Sequence, residues 1–346
     1  MTDLTNFSKS TMDQSLKFTR EKNCKTMNLA TNKQRRILDS LRTGMGLICC
    51  VAAVISGMKS RAEEPVAPSE KPVTAEAGRF IDTHVHFQDC KKGDLEKVAE
   101  WMQSNQIQRC ITHPLAQSRP KNDAQRQQML ENYKPYKGRI ARFCVIFPEE
   151  VNSEEEAVKI LTQEKKDGAL GFGEHYGVGL NFDDPQNMRL YAACAKVGLP
   201  VMFHMDGNKN LDGKGLPRVE HVLKTYPNCI VIAHSSGWWK HLSDGTCERL
   251  LKTYPNLYAD ISCTAGRSFS AQSRDFFIRN SDKLMFGTDS GWWSLGNTKK
   301  PAGEFALIDE LKLPTDVEDK ICRKNAERLF WSGKANLPGT KLKLVN

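Results

Sequence analysis

From Arg79 onward, short apolar runs alternate with longer amphipathic ones. The apolar runs are 79–85 (RFIDTHV), 108–112 (QRCIT), 139–146 (RIARFCVI), 168–174 (GALGFGE), 200–204 (PVMFH), 229–234 (CIVIAH), 257–261 (LYADI) and 283–288 (KLMFGT). Their length and β-branched or aromatic content predict strands. Between them, Leu95–Ser104, Asp123–Lys134, Ser153–Lys165, Pro185–Val197, Pro217–Lys224 and Asp316–Phe330 have helical spacing. Eight strand-then-helix units over 79–340 predict an α/β chain folded as a (β/α)8 TIM barrel. A doubly wound open sheet is the alternative, but no G-x-G-x-x-G follows the first run, which weakens a dinucleotide-binding reading.

The chain before Arg79 has a different pattern. Residues 1–42 are polar and basic, and Thr43–Met58 carry no charge. Ser60-Arg61-Ala62 offers small residues on either side of one position, as a cleavage site does. A basic segment, a short apolar run and a small-x-small site predict a signal peptide within an extension over 1–62. Export to a periplasm or to the outside follows, or anchoring to a membrane if the segment is retained. The run is short for a membrane span. Glu63–Gly78, rich in Pro, Glu and Ala, reads as a linker over 63–78.

Composition adds little beyond exclusions. Apolar residues at 39% and charged residues at 26% fit an ordinary globular chain and exclude a disordered or multi-span one. The net charge of +9 suggests nucleic acid until its distribution is read: residues 1–62 hold +7 and the rest only +2. A near-neutral barrel argues against phosphate-backbone binding. Of the 11 cysteines, eight lie beyond the extension without a Cys-x-x-Cys pair, as buried core thiols do.

The chemistry collects at the strand ends, where barrels keep their active sites. The first strand carries Asp82-Thr83-His84-Val85-His86, and a period of two puts both imidazoles on one face. Two histidines inside a barrel are costly unless they bind something. Glu174 ends strand four, His204 strand five, His234 strand six, and Asp289 follows strand eight. These six nitrogen and oxygen donors suit a divalent metal, zinc first and manganese, iron or cobalt next. Asp82, with the parity of the two histidines, is expected to orient an imidazole from below; a backbone-bonded Asp is the equal alternative. Trp238 and Trp292, in the echo Ser-Gly-Trp-Trp at 236–239 and 290–293, are candidates for lining a pocket, with Arg267, His113 and Asp206 as further candidates for substrate contact.

His84-x-His86, His204, His234 and Asp289, with the flanking FIDTHVHF, VIAHSSG, LMFGTDS and a closing Asn325-Ala326-Glu327-Arg328-Leu329-Phe330, resemble the metal motif of the amidohydrolase superfamily. GLPVMFHMDG is similar to the fifth strand of its amidohydrolase-related branch, which holds hydrolases and some decarboxylases. The resemblance implies that His84, His86 and Asp289 hold a first metal and that His204 and His234 hold a second. In single-metal members His204 joins the first and His234 polarises water or substrate. Two-metal members place a bridging lysine or glutamate on strand four, which favours Glu174 as the bridge. The departure is His175 directly after it, because only one of two strand neighbours faces inward.

The resulting expectation is a metal-dependent hydrolase of amides, lactones or other esters, with Asp289 as general base and a small-molecule substrate. A decarboxylase of the same superfamily is the alternative. A non-catalytic exported binding protein requires a lost ligand, and none is lost. An assembly of several copies stays open.

Overall fold

In a computed structural model the described residues are 78–87, 93–262, 268–291 and 302–332. The expected extension and apolar run therefore lie outside them, as do Arg267, Trp292 and all of the linker but Gly78. No helix among the described residues is long and apolar enough to cross a membrane.

All eight expected strands form: β1 (Phe80–Phe87), β2 (Ile107–Pro114), β3 (Ile140–Cys144), β4 (Ala169–His175), β5 (Val201–His204), β6 (Val231–His234), β7 (Leu257–Asp260) and β8 (Leu284–Met285). A two-residue β9 (Ser290–Gly291) follows. From β1 to β8 each strand pairs in parallel with the next in sequence, and β9 pairs in parallel with β1. Residues 284–291 act as one closing strand. On one side the Ile261 N–H donates to the Met285 carbonyl; on the other the Asp289 N–H donates to His84 and the Thr83 N–H to Phe286. The sheet is thereby stitched into a ring.

The helices fill the spaces the sequence assigned them, with local signals at their ends. Helix α1 spans Asp94–Ser104, and α2 (Asp123–Tyr133) starts where the Asn122 side chain accepts from the Gln125 N–H. Helix α3 (Glu154–Lys166) is capped by Ser153 in the same way. Helix α4 (Pro185–Val197) begins with Pro185 behind Asp184 and stops at Gly198, φ 71°. The expected closing helix over 316–330 forms without interruption, but an α turn at Thr315–Asp319 gives way to wider π-helical turns at Lys320–Lys324 and Glu327–Trp331. Asn325 holds this region to the closing strand by donating to the Ser281 and Leu284 carbonyls.

Two apolar layers result. The outer one, between strands and helices, includes Phe172, Phe203 and Trp238. The inner one fills the floor of the barrel with Ile81, Ile111, Phe143, Met202, Ile232 and Met285, closed by Leu329 and Phe330. Above this floor the interior turns polar. All six described cysteines are buried, as expected of core thiols, and Cys144, Cys194, Cys229, Cys247 and Cys322 are free.

Candidate metal centre and active site

Two irregularities in the strands aim the site. Ile81 belongs to the inner layer and Val85 to the outer, so strict alternation fails between them, and the pairing of β1 with β2 shifts between Asp82 and Val85. His84 and His86 turn inward, while Asp82 does not share their face. In β4, Phe172 packs outward, so its parity would carry Glu174 outward too. A second shift lies between Phe172 and His175. Here Gly173 adopts φ +137°, and a Cβ on it would sit 2.3 Å from the Met202 carbonyl oxygen. The bend delivers the Glu174 carboxylate to the interior. His175 instead faces outward, with its Nε2 3.0 Å from Asn187 Oδ1.

Glu174 is the hub. Its Oε2 lies 3.1 Å from His86 Nε2 and 3.4 Å from His84 Nε2. Its Oε1 lies 2.5 Å from His204 Nδ1 and 3.3 Å from His234 Nε2. Asp289 Oδ1 is 3.1 Å from His86 Nε2 and 3.7 Å from His84 Nε2. Two convergent groups share His84: one with His86 and Asp289, the other with Glu174 and His234. Donor atoms bonded to one ion at about 2.0–2.2 Å stand roughly 3–3.5 Å apart; within these two groups the separations given above run from 3.1 to 3.7 Å, close to that, whereas His204 is nearer to Glu174, at hydrogen-bond distance. All six expected ligands are thus brought together. His84, His234 and Glu174 are sealed from solvent, whereas the side chains of His204 and Asp289 are each 22% exposed, so the site opens between β5 and the closing strand.

The electrostatics call for positive charge at this point. Burial opposes the charge on Glu174, but His234, His204, His84 and His86 hold its pKa well below the usual carboxylate range. Asp289 is likewise held down, against burial, by His86 and by the charges of His84 and His234. Burial and the neighbouring His234 lower His84. In His86, hydrogen bonds to Asp289 and Glu174 outweigh burial and push the imidazole up to about 10. A buried pair of carboxylates among imidazoles is the donor chemistry that a divalent cation satisfies.

Behind the ligands stands Asp260, at the end of β7, which the sequence reading missed. Its Oδ1 is 3.4 Å from His234 Nδ1 and 3.9 Å from His84 Nδ1. The same oxygen accepts the Ser262 N–H at 2.8 Å, and Oδ2 accepts the Thr83 hydroxyl at 2.6 Å. Ser262 Oγ lies 2.9 Å from His234 Nδ1. Asp260 therefore has the orienting place expected of Asp82. Asp82 instead accepts from the backbone N–H groups of His84 and Thr288 and from the Thr288 hydroxyl, tying β1 to the closing strand.

The substrate candidates sort differently. Trp238 is fully buried in the outer layer, edge-on to Phe203 and Trp239, and presents nothing to a ligand. His113 is also sealed; its Nε2 is 2.9 Å from the Thr83 carbonyl oxygen and its ring lies between His84 and Phe143, so it supports the site from below. Asp206 does reach the mouth, with Oδ2 3.0 Å from His204 Nε2 and 2.7 Å from Lys209 Nζ. Tyr176, two residues after Glu174, donates its hydroxyl to Glu174 Oε2. The loops after β4 and β5 are clasped by Asn210, whose amide donates to the carbonyls of His175 and His204 while its Oδ1 accepts the Gly177 N–H.

A closed parallel barrel with a histidine–carboxylate centre at the carboxyl ends of its strands defines a class of metal-dependent enzymes, and sequence comparison agrees with the geometry. A family model described as amidohydrolase matches residues 114–331, and the chain belongs to that family. No curated protein matches by sequence. Among solved structures, the fold is similar to a putative 2-pyrone-4,6-dicarboxylic acid hydrolase from Pseudomonas putida (14% identity, TM-score 0.53, covering 72% of this chain and 97% of that one). It is similar also to a probable hydrolase of the same description from Acinetobacter baumannii with citric acid bound (16%, 0.52, 73% and 99%). A third is 5-carboxyvanillate decarboxylase from Novosphingobium aromaticivorans, complexed with manganese and a nitro-substituted benzoic acid (14%, 0.50, 72% and 95%).

Proposed function

We propose that this enzyme is a hydrolase of an amide, lactone or other ester, holding two divalent ions, with zinc the first choice for so imidazole-rich a donor set. The observation that carries the reading is the position of Glu174, one carboxylate oxygen toward His84 and His86 and the other toward His204 and His234. His84, His86 and Asp289 would hold one ion, and His204 with His234 the other, Glu174 lying between them. The bound cation supplies a water of lowered pKa and polarises the substrate carbonyl. Asp289 stands at the open edge, where its carboxylate can take a proton from the attacking water and return it to the leaving group.

The test is metal analysis of protein purified without chelator, paired with assays of ring opening and of carbon dioxide release over a panel of lactones, esters, amides and acids. Close to two metals per chain with hydrolysis is the expected result. Glu174→Gln should lose the second metal first and retain the one held by His84, His86 and Asp289. A single metal equivalent with carbon dioxide release would instead select the decarboxylase chemistry seen in one structural relative. The composition of residues 1–62 supports export, which amino-terminal sequencing of the native protein checks.

A further inference from the structure

Tyr176 carries a hydroxyl beside the candidate ligands that the functional reading leaves unassigned. Its O–H donates to Glu174 Oε2, the oxygen turned toward His84 and His86. The ring is tightly positioned. It packs against the His204 imidazole with centroids 5.3 Å apart, and Lys209 Nζ stands 5.6 Å from its centroid, fixed there by Asp206. The backbone behind it is fixed as well. The Gly177 N–H is bound by Asn210, and a Cβ at Gly177 would meet Asn210 Oδ1 at 2.4 Å. Bridges at Val178↔Lys209 and Asn181↔Leu211 join this loop to the one after β5. Tyr176 is half-buried and Val178, two residues on, is 57% exposed, so the loop borders the open side of the site. Ser262, by contrast, meets the Nδ1 atoms on the rear of the imidazoles.

A donor held in place beside the ligands, on the side from which a substrate enters, is positioned to meet charge that develops during reaction. We propose that Tyr176 is a catalytic residue whose single O–H, given to Glu174 Oε2 when no substrate is present, is redirected to the reacting carbonyl oxygen of the substrate; this rests on the hydrolase reading. In that step the water oxygen bonds to the acyl carbon, one water proton passes to Asp289, and the C=O π pair moves onto the oxygen that Tyr176 contacts. The Tyr176 proton stays on the phenol. The π bond then re-forms, the bond to the leaving group breaks, and that group takes the proton from Asp289, leaving an acid and an alcohol or amine.

Tyr176→Phe in the full-length, metal-loaded enzyme tests this. The expected result is a kcat lower by about 10²–10³-fold, with KM little changed and metal content equal to wild type. Affinity for a phosphonate analogue of the tetrahedral species should fall in parallel with kcat/KM. If excess metal restores kcat, Tyr176 merely holds Glu174 and the inference is overturned. It is overturned also if kcat and analogue affinity are unchanged, or if the loss disappears with good leaving groups, which would mark proton donation to the leaving group. A wild type that hydrolyses nothing on the panel removes the underlying reading; a wild type that hydrolyses beside an undiminished Tyr176→Phe removes this inference alone.

Discussion

Asp260 takes the place that spacing assigned to Asp82. Asp82 looked suited to orienting an imidazole because it sits two residues before His84, and a pleated strand repeats every two. One register shift cancels that parity and leaves Asp82 to the backbone. Asp260 lay inside LYADI, where nothing distinguished it from a strand-end aspartate. Its proximity to His234, His84, Ser262 and Thr83 depends on strands that the sequence separates widely. The prediction at this scale is that Asp260→Asn, which keeps shape and removes charge, lowers metal affinity or activity by about 10–100-fold, with Tm shifted less than by loss of a ligand. Metal titration followed by calorimetry checks it. The six candidate ligands themselves were legible for a simple reason: histidines and acids are rare in apolar strand ends unless something there requires them.

Elements decide which of those ligands meet. Eight strands were readable from apolar runs, but the bend at Gly173 that turns Glu174 inward was not, since a glycine within GFGE carries no sign of its φ. Nor was the clasp between the loops after β4 and β5. Asn210, at φ 50°, reaches across to the carbonyls of both His175 and His204 and so sets where Glu174 and His204 sit relative to each other. Asn210→Asp keeps an acceptor for the Gly177 N–H and removes both donations. Each carbonyl left unpaired costs about 1–3 kcal/mol, so Tm should fall by several degrees. Affinity for the more weakly held metal should fall with it, and differential scanning calorimetry with metal titration reads the two together. Unchanged metal affinity would show that the strands alone fix the pair.

At the scale of the whole molecule, the candidate ligands come from β1, β4, β5, β6 and the closing strand, so a cation bound there would tie together much of the barrel. A ligand at 100 times its Kd stabilises by about 2.7 kcal/mol, which for a domain of this size is a rise in Tm of about 5–10 °C. Stripping with chelator should lower Tm by that amount and re-addition restore it; a Tm indifferent to metal would place the cation elsewhere. Deleting residues 1–62 should leave a soluble protein that unfolds cooperatively, because the barrel begins near Arg79 and the removed part has the composition of an export signal. Loss of cooperative unfolding in the shortened chain would count against that.

The strand that closes the ring also carries Asp289, and its N–H is bonded to the carbonyl of His84. The first and last pieces of the barrel therefore meet at the ligand itself. A growing chain on the ribosome contains His84 and His86 long before Asp289, and it has neither a complete ring nor the Asp289 carboxylate until residues 284–291 have been made. On the proposed two-ion reading, metal would load only after that segment emerges, and a chain lacking residues 284–291 would be left without a full set of candidate ligands and with two open sheet edges, at β7 and β1, available for aggregation.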